Sequence, residues 1–443
     1  MPLLPTAFVT TLKPILGDEW THFEAALNEE PVTSVRLNDK IDLSIEGDCV
    51  PWCSQGRYLA ERPNFTRDPL FHAGAYYVQE ASSMFVQCVV NQFVADDAVV
   101  LDMCAAPGGK STLLSQHLCR DGLLVANEFV RQRAHILSEN LQKWGNPNVI
   151  VTNNAPSDFA AFAGMFDAVL VDAPCSGEGM FRKDETAVTE WSPTNVQHCV
   201  ERQRDILAAA WRCLKPDGIL IYSTCTYNPH ENEENVQWLC QQTDAELLQP
   251  AIDPEWQIVH TPEGYHFYPH KTRGEGLFIS VLRKHDASSE SPCKRRIKTP
   301  LRTLSNSPFA NYLQHSEHYA HIEFAGKHHA FACRYADLLP ACLKQLCVLH
   351  FGVALAEQKG RDFVPQPSLA LSKVLNTEAF NREEVDLETA LRYLHCEAVC
   401  LPDAPKGFLL ITYKHVALGW VKNIGNRCNN LYPAAWRIRM NVN

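Results

Sequence analysis

No run of apolar residues in this chain reaches the roughly 18 that a helix needs to cross a bilayer. The opening "MPLLPTAFVT" also lacks the charged and then apolar pattern of a secretory signal. The expectation is a cytoplasmic protein with no membrane partner. No C-x2-C pair occurs, because Cys49 with Cys53 and Cys396 with Cys400 are both C-x3-C. A zinc site therefore has no framework, and no metal is expected. The 17 cysteines are odd in number and scattered, which excludes a paired disulfide scaffold and leaves reduced thiols, most of them packed as small hydrophobes. A dinucleotide G-x-G-x-x-G is missing. So is a P-loop, which needs a glycine five positions before Gly109, where the chain has Cys104. Basic charge is scarce: the net charge is −11, too acidic for nonspecific clinging to nucleic acid. One segment lacks acids instead. From Ala404 to Asn443 there is no Asp or Glu, while Lys406, Lys414, Lys422, Arg427, Arg437 and Arg439 are cationic and Tyr413, Trp420, Tyr432 and Trp436 interleave with them. That local surface suits RNA contact.

What is present is a long alternation of strand and helix. At 443 residues and 49.9 kDa the chain exceeds one compact core, so two to four domains are expected. "AVVLDMC", "GLLVANE", "VIVTNN", "FDAVLVDAPC", "GILIYSTC" and "GLFISVLRK" read as strands. "GKSTLLSQHL", "VRQRAHILSENLQKWG", "NVQHCVERQRDILAAAWRCL" and "NEENVQWLCQQT" read as the helices between them. This pattern predicts α/β architecture, a doubly wound parallel sheet. We expect a small N-terminal α/β cap over 1–70, the sheet domain over 71–284, a linker and mixed α/β region over 285–381, and a strand-rich C-terminal module over 382–443. Ligands of such sheets bind at the carboxyl ends of the strands, where strand order reverses. "DMCAAPGGKS", "NE", "DAPC" and "STCT" each fall at such an end, and packing alone gives no reason for four strands to do this.

The small-residue turn Cys104, Ala105, Ala106, Pro107, Gly108, Gly109 leads into a helix near Lys110. It lets backbone approach a ligand closely and offers helix N-terminal N–H groups to a carboxylate, such as that of the methionine moiety of S-adenosylmethionine. Glu128, ending the next strand, is placed to accept both ribose hydroxyls of a nucleoside cofactor. Cys175 and Cys225 lie 50 residues apart in sequence, yet both end neighbouring strands in polar settings where a thiolate can be nucleophilic. Methylating carbon 5 of a pyrimidine needs such a nucleophile. Attack at carbon 6 makes carbon 5 enamine-like, a base then removes its proton, and elimination frees the sulfur. The base must also leave its stack.

The stretches "DMCAAPGGKS", "NE", "DAPCSGEG", "RKD", "ERQRDIL" and "YSTCTYNPHENEENV" resemble the motifs of the Sun/Nop family of S-adenosylmethionine-dependent RNA cytosine-5 methyltransferases, over about Arg36 to Lys284. "GWVKNIGNRCNNLYP" is similar to the end of the bacterial ribosomal RNA small-subunit methyltransferase F type, which carries a PUA-like RNA-binding module. The resemblance implies a Rossmann-like methyltransferase sheet with Cys225 as nucleophile and Cys175 assisting release of the product or deprotonation. It also implies Asp172 bonded to the cytosine and bordering the cofactor, Lys183 lining the site, and the cofactor on Cys104 to Lys110 and Glu128. RNA is favoured over DNA because the nucleophile sits in "STCT" rather than in a Pro-Cys. The implied partner is small-subunit rRNA, naked or in the 30S subunit, met by a monomer. A tRNA substrate and a non-catalytic, RNA-binding assembly role stay open as alternatives. After the third strand the family usually has an acid for the adenine amine; here stand Asn154 and Ala155, with Asp158 three residues on. His266 and His270, with Pro269 between them, are expected to be turn or RNA-facing residues rather than a ligand pair.

Overall fold

The computed structural model describes residues 4–118, 121–285 and 301–440; most of the expected linker lies outside them. The central sheet runs, edge to edge, Val259–Thr261, Gly264–Phe267, Leu277–Lys284, Leu214–Thr224, Phe166–Asp172, Val99–Asp102, Leu123–Asn127, Val149–Thr152 and Val348–Phe351, with Ala245–Leu248 also paired to Leu277–Lys284. Its middle five strands are parallel. The chain leaves Val99–Asp102 toward one edge and returns on its other side as Phe166–Asp172, so strand order reverses between these two. Asp102 and Asp172 end the strands that flank this crevice.

Alternation of side chains explains why the sheet is covered on both faces. Val100, Leu124, Ala126, Val151, Leu170 and Ile221 point into a core shared with Val89, Leu113 and Leu137 of the helices Val86–Phe93, Gly109–His117 and Arg131–Trp144. Their neighbours Leu101, Leu123, Val125, Val169 and Tyr222 point into a second core with Ile206, Leu207 and Trp211 of the helix Pro193–Cys213. The helix Arg131–Trp144 stops at Gly145, whose φ of 91° and close approach to the Leu371 carbonyl leave no room for a Cβ.

Two expectations are corrected. The last strand, Leu277–Lys284, is antiparallel to its neighbour, because a hairpin rather than a helical crossover precedes it and brings the chain in from the opposite end. Val348–Phe351, from the region between the sheet domain and the C-terminal module, adds an antiparallel edge strand to the main sheet.

The flanking parts pack onto the sheet domain. N-terminal helices Thr6–Leu16 and Trp20–Leu27 bury Phe8, Trp20 and Phe23 against Phe181, Trp191, Tyr227 and Tyr268. Phe23 meets the Tyr227 ring edge-on at 5.1 Å, two residues after Cys225. A four-stranded antiparallel sheet follows, Cys49–Val50, Cys53–Leu59, Thr33–Leu37 and Tyr76–Val78 in spatial order. The C-terminal sheet, Asn381–Glu384, Gly407–Tyr413, Val416–Asn423 and Cys428–Asn430, rests Tyr413 and Val416 on the apolar face of Val35, Leu70 and Tyr76.

Candidate active site

The turn after Val99–Asp102 is built as a cradle. Gly108 has a φ of 118°, a conformation L side chains rarely adopt, and the helix Gly109–His117 begins beside it. Asn127, ending the next strand, donates to the Met103 carbonyl at 3.1 Å and the Asn154 carbonyl at 3.0 Å, and accepts from the Asn154 N–H at 3.0 Å. One buried amide thus ties the loops after three strands together. Asp102 is wholly buried and accepts from Ser111 Oγ at 2.7 Å; burial pushes its pKa up to about 7. Glu128 is buried at its strand end, with Oε1 accepting from the Val130 N–H at 2.8 Å. Arg133 Nη2 lies 3.9 Å from Glu128 Oε2 and donates to the Ala106 carbonyl at 2.7 Å. Burial holds the Cys104 pKa well above the ordinary thiol range, with the Asp102, Asp172 and Glu128 charges adding to it.

A backbone cradle, a helix N-terminus and a carboxylate one strand away fit an amino-acid-bearing nucleoside at the sheet's reversal point. Asp158 is already engaged. Its Oδ2 accepts from the Ala155 N–H and from Asn154 Nδ2, both at 3.0 Å, capping the turn Pro156–Phe162.

Arg36 fixes this cradle from the N-terminal sheet and was not legible as a site residue. Its guanidinium is 1 % exposed and donates to Gln79 Oε1 (2.8 Å), Gln116 Oε1 (2.8 Å), the Gly109 carbonyl (3.3 Å) and Thr112 Oγ1 (2.5 Å). It also lies over the Trp144 ring at 4.5 Å. Desolvation pushes its pKa down to about 10, yet at neutral pH it stays charged.

Across the crevice the two cysteines meet. Cys175 Sγ and Cys225 Sγ are 3.1 Å apart. Asp172 Oδ1 pairs with Lys110 Nζ at 2.7 Å and accepts from Ser223 Oγ at 2.8 Å. Burial works against the Lys110 charge, but Asp172, with Cys225 and Asp102 close by, holds its pKa above the ordinary lysine value. The hydrogen bond with Cys225, burial and the Glu231 carboxylate push the Cys175 pKa well above the usual thiol range.

The two loops are joined by buried polar groups. Glu231 accepts from the Ser176 N–H (2.9 Å), Ser176 Oγ (2.5 Å) and Gln203 Nε2 (2.9 Å). Ser176 Oγ also meets Thr226 Oγ1 at 3.0 Å, and the Gly179 N–H donates to the Cys225 carbonyl at 2.9 Å. Glu178 accepts from Trp191 Nε1 (3.0 Å), Asn228 Nδ2 (3.0 Å) and the Tyr227 N–H (3.1 Å); burial pushes its pKa up to about 7. Both acids stand in stretches quoted for their cysteines, and a charged residue inside a turn gives no sequence signal that it is buried.

Lys183 stands at the edge of this group, its Nζ 3.5 Å from Glu275 Oε1, while Arg182 holds Glu275 through two bonds of 2.9 and 2.8 Å. His266 is not RNA-facing: it is buried, bonds Glu233 at 2.6 Å and stacks on Tyr268. His270 faces Glu19 at 3.5 Å. In the C-terminal module Trp420, on the strand Val416–Asn423, is buried against Leu369 and Leu410, and Tyr432, in the bend after the last strand, is buried against Tyr393 and Leu394, so they present no ring to a base. Lys406, Lys414, Arg427, Arg437 and Arg439 remain exposed. Among the described residues, the one group with metal-ligand proximity is the exposed trio His315, Glu317 and His318.

Three family descriptions match in succession. They are the N-terminal domain of 16S rRNA methyltransferase RsmF over residues 4–81, the 16S rRNA methyltransferase RsmB/F over 91–283, and the methyltransferase RsmF PUA domain over 380–438. The ribosomal RNA small subunit methyltransferase F of Escherichia coli O139:H28 is 33% identical over 411 residues, covering 87% of this chain and 83% of the relative. Its namesake from Aliivibrio fischeri is also 33% identical, over 87% and 84%. Among solved structures, a methyltransferase homologue from Pyrococcus horikoshii superposes with a TM-score of 0.52 at 27% identity, covering 63% of this chain and 100% of its own. NSun6 from the same organism, at 22% identity over 64% and 98%, shares the fold with a TM-score of 0.54.

Proposed function

This chain belongs to the 16S rRNA methyltransferase RsmB/F family, and from that membership we propose which of its residues carry out carbon-5 methylation of a cytosine in 16S rRNA. It is an S-adenosylmethionine-dependent RNA cytosine-5 methyltransferase, with Cys104 to Lys110 and Glu128 holding the donor. The donor supplies an electrophilic methyl group and leaves as a neutral thioether.

The observation that carries the assignment is the pair of sulfurs 3.1 Å apart, beside the Lys110–Asp172 pair at the sheet's reversal point. Cys225 Sγ attacks carbon 6 of a cytosine drawn out of its stack. A sulfur–carbon bond forms, and the electron pair of the ring's double bond is drawn toward the ring nitrogen, leaving carbon 5 nucleophilic. Asp172 accepts from the exocyclic amine and fixes the ring. Lys110 beside it sets positive charge where the ring gains electron density. Once carbon 5 bears the methyl group, its proton passes to a base, the sulfur–carbon bond breaks and the ring double bond returns. The Cys175 thiol, 3.1 Å from Cys225 Sγ in the resting pair, donates a hydrogen bond to the departing thiolate. Lys183 lines the edge of the site, and the basic face of the C-terminal module grips the rRNA or the 30S subunit in the cytoplasm.

The test has two arms. Bisulfite sequencing of rRNA from cells with and without the gene should show one or more 16S cytosines losing protection; no change would sink the substrate assignment. Cys225→Ala should abolish transfer, whereas Cys175→Ala should accumulate a covalent protein–RNA adduct seen as a slow band. An adduct trapped by Cys225→Ala instead would exchange the two roles.

A further inference from the structure

Two thiols 3.1 Å apart on neighbouring strand ends are chemically alike, and their own geometry does not say which attacks. Their surroundings differ. On the Cys225 side stands the Lys110 ammonium, its charge balanced by Asp172 at 2.7 Å, with Ser223 and Thr224 of the same strand end bonded to Asp172 and Asn232. On the Cys175 side stands an anion. Ser176, the next residue, gives both its N–H and its hydroxyl to the Glu231 carboxylate, which Gln203 also holds. Glu231 is 0 % exposed, so its charge acts through protein rather than through water. Gln203 Nε2 further bonds the Pro174 carbonyl at 3.0 Å, closing the clasp on both sides of Cys175.

We propose that Glu231 is a positioning residue that decides which thiol attacks: its buried charge behind Cys175, opposed by Lys110 in front of Cys225, keeps the proton of the sulfur pair on Cys175 and leaves Cys225 as the nucleophile. The raised pKa of Cys175, to which Glu231 contributes, agrees with this polarity. The inference rests on the assignment of Cys225 as attacking sulfur, and the test separates the two.

The probe is an RNA carrying 5-fluorocytidine at the target position, presented with S-adenosylmethionine to the full chain. Cys225 bonds carbon 6 and the methyl group is transferred, but carbon 5 then carries fluorine in place of the proton. Elimination stops and the adduct persists. Peptide mapping by mass spectrometry identifies the adducted sulfur. The wild type should carry the adduct on Cys225; an adduct on Cys175 would overturn the mechanism itself. In Glu231→Gln, the share carried by Cys175 should rise on the order of tenfold, as loss of one nearby buried charge implies. In the double variant Cys225→Ala/Glu231→Gln, Cys175 should form an adduct that Cys225→Ala alone does not. Glu231→Asp, which restores the charge, should return the adduct to Cys225. Ser176→Ala, which keeps the charge and removes one bond, should leave the adduct on Cys225. The proposal is overturned if Glu231→Gln binds S-adenosylmethionine as the wild type does yet keeps every adduct on Cys225. It is overturned equally if Ser176→Ala moves the adduct as far as Glu231→Gln does, which would make the clasp's shape, not its charge, decisive.

Discussion

Replacing Arg36 by methionine should cost both stability and cofactor affinity, and by amounts the geometry constrains. The side chain is buried and spans four acceptors, three of them on the helix that opens the cofactor cradle. Methionine fills the aliphatic part of the space and donates nothing. Gln79 and Thr112 are themselves buried, so Gln79 Oε1 and Thr112 Oγ1 each lose a charged donor at a cost of about 1–3 kcal/mol. Relief of the guanidinium's desolvation, visible in its pKa of about 10, offsets part of this, and a net loss of about 2–4 kcal/mol follows. Arg36→Lys should fall between, because one ammonium cannot reach four acceptors spread across a planar fork. The loss should not be confined to stability, since the released bonds hold Gly109 and Thr112 in the first turn of the helix. We expect the Kd for S-adenosylmethionine to rise about tenfold, the equivalent of 1.4 kcal/mol. Chemical denaturation reads the first quantity and isothermal titration calorimetry the second. A variant within about 0.5 kcal/mol of wild type, the range of ordinary surface substitutions, or one that loses stability but binds the cofactor unchanged, would refute the coupling of the N-terminal sheet to the cradle.

Lys110→Met should lower single-turnover methyl transfer about 10²-fold at saturating donor, since it removes one preorganised charge from the reacting ring; an unchanged rate would remove Lys110 from the chemistry. Glu178 has a folded pKa of about 7 against an ordinary 4.5, so its proton is bound more tightly in the folded state. The stability this contributes is complete below pH 4.5 and is lost as pH rises through 7, about 3 kcal/mol in all. Glu178→Gln should escape that loss, so its stability deficit against wild type should shrink between pH 5 and pH 8, and equal pH slopes in denaturant titrations would contradict it. Reversing Arg427, Arg437 and Arg439 to Glu should weaken RNA binding and lower the salt slope by about 1 for each phosphate contact removed, with cofactor affinity retained in filter-binding and calorimetry.

The alternating sheet was legible because two-sided burial writes itself as short apolar runs, and because Gly145 marks the end of its helix. The strand-end positions of Cys175, Cys225, Asp172 and Glu128 followed from the same periodicity. The antiparallel last strand was not legible: "GLFISVLRK" has the same composition whichever way it enters, and only the connection before it sets direction. Nor was the edge strand Val348–Phe351, whose partner lies about 200 residues earlier with no pattern linking the two. The aromatics of the C-terminal module misled for a related reason. Trp420 suits a strand's inner face as well as an RNA surface, and its Nε1 finds the Gln366 carbonyl at 2.9 Å, a partner no local pattern reveals.

The hardest features to read were buried charges. Arg36, Glu178 and Glu231 sit in stretches whose polar character suggests solvent, yet each is inside. A charge is tolerated there only where several hydrogen bonds converge on it, and convergence is a property of the folded neighbourhood. Arg36 binds the N-terminal sheet to the cofactor cradle, and Glu178 and Glu231 bind the two cysteine loops to each other. Apolar residues of equal volume could fill the same space but could not fix two loops in register at hydrogen-bond precision. Nor could they impose opposite electrostatic surroundings on two sulfurs 3.1 Å apart. At the two cysteine loops, buried polarity therefore stands where chemistry requires two like groups to act differently.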